Sequence, residues 1–179
     1  MRKVIASLEA EYLRYKGLAE GTFAQLDESQ LTMRAGETSN SIATIVWHVA
    51  GNLTSRFTDF LTTDGEKPWR QREEEFEDRD VSREELLVKW NAGWQVLFDT
   101  LATLVDDDLT RTVVIRGQSL PVVEALHRSL AHAASHVGQV QFWGKVMKGT
   151  TWNYLSIPPG GTAAYNANPT LEKPPADGR

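Results

Sequence analysis

The sequence predicts an all-α protein built as a bundle of four long helices, and three observations support this fold class. Apolar residues recur every three to five positions in four long segments, which is the pattern of an amphipathic helix. Residue types that favour helix starts and ends flank these segments. Only one short stretch has the β-branched composition of a strand. Four long helices without a repeated strand pattern favour a four-helix bundle.

The first two helices are predicted over residues 2–26 and 42–62. The apolar stripe of the first helix is interrupted at Asp27. The second helix follows residues 37–40, a stretch rich in side chains that cap helix N-termini. We expect the second helix to end before Gly65, because glycine is common just beyond the last turn of a helix.

The third and fourth helices are predicted from capping signals. Ser82 and Glu85 have the spacing of a capping box, in which each side chain accepts a hydrogen bond from the backbone of the other residue. The third helix is therefore expected to run from Ser82 to about Leu104. Pro121 suits the first turn of a helix and Gly149 suits its end, so the fourth helix is predicted between them.

The connections between the helices differ in kind. Residues 63–81 are long enough to cross over the bundle between the second and third helices. Residues 112–118 resemble a strand that enters a turn, which predicts a small hairpin before the fourth helix. One domain is predicted over residues 1–168, and residues 169–179 are expected to be a disordered tail. We expect the crossover and residues 152–165 to pack on the bundle and narrow the mouth of a pocket.

The composition of the 179-residue chain excludes several classes of function. Its 24 acidic and 19 basic residues give a formal net charge of -5, so neither nucleic acid nor an anionic membrane is an expected partner. No stretch is apolar enough to span a bilayer, and no signal-peptide core follows the N-terminus. The chain has no cysteine, which excludes disulfides, thiolate ligands and cysteine nucleophiles. We therefore expect a cytoplasmic protein with a small-molecule substrate.

The histidines are the most informative residues of the sequence. They are His48, His127, His132 and His136. His132 and His136 are four residues apart in the fourth predicted helix, so their rings project from one face and can reach the same metal ion. Ser129 and Gln139 share that strip of the helix, which lies beside the apolar stripe. His127 lies off the strip, and we expect it to lie outside the site.

His48 lies midway along the second predicted helix, beside a polar strip that includes Asn52. Taken alone, it is better explained as a core histidine that donates one hydrogen bond to a backbone carbonyl. Together with the pair in the fourth helix it fits a catalytic zinc site, in which three neutral imidazoles leave a position open for water or substrate. The predicted metal ligands are His48, His132 and His136, and the predicted substrate-binding or supporting residues are Asn52, Ser129 and Gln139.

Five stretches of the sequence resemble a known family. They are residues 39–43 (SNSIA), 48–53 (HVAGNL), 59–70 (DFLTTDGEKPWR), 132–139 (HAASHVGQ) and 155–160 (LSIPPG). With a histidine in the second helix and a His-x-x-x-His pair in the fourth, the chain resembles the DinB-like (YfiT-like) family of metal-dependent enzymes, and in particular an uncharacterised branch of it. The resemblance extends from the N-terminus to about Asn168.

The resemblance implies a bundle whose helices run up, down, down and up, often as a homodimer. It also implies a divalent metal ion, commonly zinc or nickel, on the three histidines. Characterised relatives include transferases and isomerases that use a low-molecular-weight thiol such as bacillithiol, mycothiol or glutathione. The implied function is therefore a transferase in which the metal ion activates a thiol cosubstrate.

Two other functions are compatible with the sequence. The metal ion could activate water for hydrolysis, which needs a general base, and Asp59 and Glu124 are the nearest candidates. Alternatively, the protein is a non-catalytic dimer that binds a metal ion or a ligand, since one fold hosts many functions. The acidic run at residues 73–78 is interpreted as a solvated face of a loop.

Overall fold

A computed structural model describes residues 1–170 of the chain. The helices within these residues are α1 (Lys3–Phe23), α2 (Glu28–Thr32), α3 (Ile42–Phe57), α4 (Arg83–Thr103), α5 (Val122–Lys148) and α6 (Thr162–Ala167), and the strands are β1 (Thr112–Ile115) and β2 (Gln118–Pro121). Short 3-10 turns cover Glu73–Phe76, Asp106–Thr110 and Gly149–Thr151. The described chain is thus mainly helical, as predicted. Most of the tail that was expected to be disordered, residues 171–179, lies outside the described residues.

The four long helices and the hairpin share one cluster of buried apolar side chains. Helix α3 packs along α4, and α1 packs along α5, while α5 also contacts α3. Trp90 and Trp94 of α4 are fully buried in this cluster, and their rings meet edge to face. Tyr12 of α1 is buried as well, and its hydroxyl donates a hydrogen bond to the carbonyl oxygen of Leu126 in α5 at 2.8 Å. This packing holds α3 and α5, the two helices that carry the predicted metal ligands, next to each other.

Helices α3 and α4 approach each other most closely at a glycine. A Cβ atom placed on Gly93 of α4 would lie 2.5 Å from the Cα atom of Ala50 in α3. Real Cβ atoms do not come so close to a backbone atom, so this contact requires a residue without a side chain. The separation of the two helices is therefore set by Gly93.

Replacing Gly93 by alanine is expected to lower the free energy of unfolding by about 1–3 kcal/mol, the usual cost of overpacking a core. Gly17 is the matched control, because a Cβ atom there would meet no neighbouring element of the described chain. Gly17→Ala should instead raise the free energy of unfolding by about 1 kcal/mol through helix propensity. Denaturant unfolding of both variants measures the difference, and equal changes would contradict the close approach.

The starts of the helices follow the predicted capping signals closely. Ser82 Oγ accepts a hydrogen bond from the backbone N–H of Glu85 at 3.2 Å, and Glu85 Oε2 accepts one from the N–H of Ser82 at 2.8 Å. This capping box precedes α4, as predicted. The N-cap of α3 is Ser41, whose hydroxyl accepts from the N–H of Thr44 at 3.0 Å. Gly149, with φ of 53°, ends α5.

The end of α3 differs from the prediction. The helix ends at Phe57, not near residue 62, because Thr58 has an extended backbone with ψ of 124° and Asp59 after it has a φ of 49°. A left-handed residue cannot continue a right-handed helix. The Asp59 carbonyl oxygen instead accepts hydrogen bonds from the N–H groups of Thr62 and Thr63, at 3.0 and 3.1 Å. The chain turns here, and Phe60 within the turn is still buried.

The predicted hairpin is present and is joined to the crossover. Ile115 of β1 pairs with Gln118 of β2, which leaves a two-residue turn at Arg116 and Gly117. Both turn residues have positive φ, 54° and 72°, as a type I′ turn requires. The carboxylate of Asp64 accepts a hydrogen bond from each of their N–H groups at 2.8 Å. The crossover therefore holds the hairpin at one end of α3 and α5.

Two short helices, α2 and α6, were not predicted. Asp27, which interrupts the apolar stripe of the first helix, is the N-cap of α2. Its Oδ1 accepts a hydrogen bond from the N–H of Gln30 at 2.8 Å, and the Gln30 side chain accepts one from the N–H of Asp27 at 3.0 Å.

Across residues 1–170, none of the helices has both the length and the apolar character needed to cross a bilayer.

Candidate metal centre

Three of the four histidines converge between α3 and α5. His48 lies on α3, and His132 and His136 lie one turn apart on α5. One ring nitrogen of each histidine lies within 4.8 Å of the corresponding atoms of the other two. The ring centroids are 4.6 to 5.1 Å apart, and each pair of rings meets edge to face. These three residues form a group that can hold a metal ion.

His48 is held by a buried carboxylate from the crossover. Its Nδ1 donates a hydrogen bond to Glu75 Oε2 at 3.0 Å, and both side chains are 9% exposed. Arg70 donates two hydrogen bonds to the same carboxylate, from Nε and one Nη, each at 2.8 Å. Burial by itself would raise the pKa of Glu75, but the hydrogen bonds from His48 and Arg70 outweigh it and hold that pKa below its usual value.

The orientation of His48 follows from this contact. An ionised carboxylate only accepts hydrogen bonds, so Nδ1 of His48 carries the proton of this contact and Nε2 is the ring nitrogen that faces the other histidines. A carboxylate that holds the far nitrogen of a histidine in this way fixes the ring and makes the other nitrogen a better metal ligand. Phe76 packs on the His48 ring with 4.7 Å between the centroids, which further restricts the ring.

The two histidines of α5 are neutral near pH 7. Burial, the neighbouring histidines, and the charges of Arg70 and Arg56 lower the pKa of His132 to about 4. Burial also lowers the pKa of His136, although the hydrogen bond of its Nδ1 to Gln139 Oε1 at 2.8 Å opposes the shift. A neutral imidazole keeps the lone pair that a metal ion needs.

The donor set fits a divalent metal ion. Two nitrogens that each lie about 2.0–2.1 Å from a tetrahedral zinc ion are about 3.3 Å apart. The Nε2 atoms of His48 and His132 are 3.1 Å apart, close to that spacing. This spacing allows the two Nε2 atoms to coordinate one cation. Three imidazoles are the usual protein ligands of a catalytic zinc ion, which keeps a further position open.

A cavity of about 120 Å³ lies beside His132. It extends between α3 and α5 toward the hairpin. It is lined by Asn52, Arg56, Phe57, Phe60, Ile115, Ala125, Arg128, Ser129 and His132. Because His132 forms part of the lining, a molecule in this cavity lies next to one histidine of the group.

The other predicted site residues take different places. Asn52 and Ser129 line the cavity, and Ser129 is buried. Gln139 is exposed, and its side-chain oxygen is bonded to His136. His127 is also exposed and does not belong to the histidine group. The two candidate general bases named in the sequence analysis, at positions 59 and 124, are both exposed and are not among the residues that line the cavity.

The most important residue that the sequence analysis missed is Glu75. The run at residues 73–78 was interpreted as a solvated loop face, and this is wrong for Glu75, which is buried. Its burial is made possible by Arg70, whose side chain is 2% exposed and neutralises it. The signal in the sequence was Phe76, an aromatic residue among acidic ones, which indicates that one side of this turn faces the core.

The crossover and the segment after α5 pack in different places. The crossover covers the histidines through its 3-10 turn, as expected, but Trp69 is 52% exposed and contributes little to this packing. The segment after α5 packs through Trp152, which is 9% exposed. Residues 154–160 line a separate depression next to Phe142. The expectation that this segment narrows the mouth of the histidine pocket is therefore wrong.

The fold and the site define the class of protein: a mainly helical protein with three histidines that can hold a metal ion. The family model described as "Protein of unknown function (DUF1572)" matches residues 1–161. The chain belongs to this family. No curated protein matches the sequence.

Proposed function

We propose that the protein is a divalent-metal-dependent enzyme whose metal ligands are His48, His132 and His136. The observation that carries the proposal is the convergence of these three imidazoles, with the first of them held by a buried carboxylate and arginine. The donors suit zinc, and nickel also accepts imidazole ligands. Burying an ion pair costs desolvation free energy. Holding a metal ligand in position is a functional reason for such a pair.

We further propose that the family is a branch of the DinB-like (YfiT-like) superfamily and that this chain is one domain over residues 1–168. The proposed bundle topology is up, down, down and up, with the crossover between α3 and α4. The packing of α3 on α4 and of α1 on α5 is compatible with this topology. A homodimer and a cytoplasmic location complete the proposal, and both rest on the sequence.

The proposed reaction is the transfer of a low-molecular-weight thiol, such as bacillithiol, to a small electrophile. A divalent ion in such a site lowers the pKa of a bound thiol and makes it a better nucleophile. The role of the chain is to hold the imidazoles in place, through Glu75 for His48 and Gln139 for His136. The cavity beside His132 would position the second reactant.

Hydrolysis by activated water is the second candidate, and the contacts of the carboxylates favour the thiol reaction over it. A thiol has an ordinary pKa of about 8.5, so a metal ion that lowers this pKa lets the thiol lose its proton to solvent near pH 7, whereas water starts from a pKa of about 15.7 and its attack is assisted by a general base. The carboxylate nearest the histidines, Glu75, is committed to His48 and Arg70, and its lowered pKa makes it a weak base. The third candidate is a non-catalytic dimer that binds a metal ion or a ligand.

Metal analysis of the full chain, purified without added metal, tests the first proposal. About one ion per chain is expected, and metal-free protein should regain it from zinc or nickel. Zinc-, nickel- and manganese-loaded protein is then assayed with bacillithiol, glutathione and coenzyme A against a panel of electrophiles. Product formation that requires both metal and thiol is expected. Hydrolysis that proceeds equally well without a thiol would favour the second candidate, and a metal-loaded protein that is inert throughout would favour the third.

A further inference from the structure

The polar side chains that line the cavity all have unused hydrogen-bonding groups. Asn52, Arg56, Arg128 and Ser129 all line it, and each has hydrogen-bonding capacity that no other described residue uses. The Ser129 hydroxyl is the clearest case: the residue is 8% exposed, and its buried Oγ neighbours the Tyr12 hydroxyl but makes no hydrogen bond of good geometry among residues 1–170. A buried hydroxyl that lacks a well-formed hydrogen bond costs free energy. A bound molecule or water that bonds to this hydroxyl would remove the cost.

The two arginines differ in how far their charge is neutralised. Arg56 is 14% exposed, and one Nη group donates to the Glu66 carboxylate and to the Gly65 carbonyl oxygen. Its Nε and second Nη groups make no hydrogen bond to the described residues. Glu66 also pairs with Arg116 and Arg70, so one carboxylate serves three guanidinium groups. Arg128 is exposed on α5 and forms no ion pair with any residue in the described range.

The positions of these residues are set by helix periodicity. Asn52 and Arg56 follow His48 on α3 by one and two turns, and Ser129 precedes His132 on α5 by about one turn. The unused donors therefore extend from the histidine group in one direction, toward the hairpin. All four side chains can donate, and the residues that line the cavity include no carboxylate. The remaining walls are apolar and come from Phe57, Phe60, Ile115 and Ala125.

We propose that this cavity binds an oxyanion group, a carboxylate or a phosphate, that belongs to the substrate. Guanidinium groups bind both oxyanions through charge-assisted hydrogen bonds. A volume of about 120 Å³ suits such a group, since a water molecule in the liquid occupies about 30 Å³. When the oxyanion group is bound in the cavity, the rest of the substrate lies next to His132. The inference rests on the proposed function for the chemistry at the histidines, while the anion site itself depends only on residues of this chain.

Binding of inorganic phosphate and of acetate to metal-free full-length protein tests the inference at constant ionic strength. Without metal, an anion cannot bind through the ion. NMR titration of the arginine side-chain N–H groups is a suitable readout. Arg128→Gln is expected to weaken binding about tenfold, the effect of losing one charge-assisted hydrogen bond. Ser129→Ala should weaken it by a smaller factor. Arg14→Gln is the matched control, because Arg14 is exposed on α1 and pairs with Glu11 of the same helix.

The outcomes separate this inference from the proposed function. Tighter binding of acetate would identify a carboxylate substrate, and tighter binding of phosphate would identify a phosphorylated one. Wild-type protein that takes up metal but binds neither anion would overturn the anion site and leave the metal proposal intact. Anion binding by a protein that takes up no metal would support the anion site and overturn the proposed function. Equal weakening in Arg128→Gln and Arg14→Gln would mean general charge attraction and would overturn the inference.

Discussion

Replacing His132 by alanine is expected to abolish metal binding and every metal-dependent activity while the helix content stays nearly unchanged. His132 lies between the other two histidines and the cavity, so its loss removes a ligand and opens the site to water. The loss of a direct ligand should weaken metal binding by more than the roughly 100-fold that is the upper range for residues supporting a ligand. Metal content after dialysis and far-UV circular dichroism measure the two effects.

His127→Ala is the matched control for this experiment. His127 lies on the same helix, α5, but is exposed and does not belong to the histidine group. The substitution should leave metal content, activity and helix content at their wild-type values. If His132→Ala retained one tightly bound ion per chain, the three histidines would not be the metal site.

Glu75→Gln is expected to raise the dissociation constant of the metal ion by about 10- to 100-fold, although Glu75 does not belong to the metal-binding group. The glutamine keeps the shape of the side chain but loses the charge that stabilises the His48 N–H. It also leaves the guanidinium of Arg70 with one fewer ionic partner in a buried position, which should cost about 3 kcal/mol of stability. Competition with a chelator measures the first effect, and denaturant unfolding of metal-free protein measures the second.

Two further variants test whether the Glu75 carboxylate is the cause of the weaker metal binding. Glu73→Gln changes the same residue type in the same 3-10 turn, where the side chain is 88% exposed, and should change neither quantity. Gly51→Ala places a methyl group on α3 where it would overlap the Glu75 carboxylate. It should weaken metal binding by displacing the carboxylate without removing its charge. Normal metal affinity in both Glu75→Gln and Gly51→Ala would show that Glu75 does not support His48.

Local signals in the sequence were sufficient for most of the fold. Helical periodicity and the capping box at Ser82 placed the long helices, because these signals act within a few residues. The end of α3 could not be predicted, because Asp59 is not a residue type that forces a positive φ. Its conformation occurs together with the burial of Phe60 and the docking of the crossover on the hairpin, which are contacts between distant parts of the chain.

The histidine group was accessible to sequence reasoning only in part. The spacing of His132 and His136 places two rings on one face of a helix, but no spacing relates them to His48, which is 84 residues away from His132. The link came from the chemistry of zinc sites, in which three imidazoles are a known ligand set, and the family resemblance supported it. Glu75 was missed because a run of acidic residues is usually solvated. What distinguishes Glu75 from its neighbours is its contact with His48, and this contact exists only once the crossover has folded over α3.

The hairpin has a consequence for how this protein can diverge. Ile115, at the end of β1, forms part of the cavity wall, and the adjacent turn is fixed to the crossover by Asp64 rather than to either histidine helix. A substitution at Ile115 therefore changes the space open to a bound molecule while the three imidazoles and their supporting carboxylate keep their positions. Mutation and selection can therefore act on the shape of the cavity and on the histidine group separately, so single substitutions can change what the cavity accepts while the histidine group is preserved.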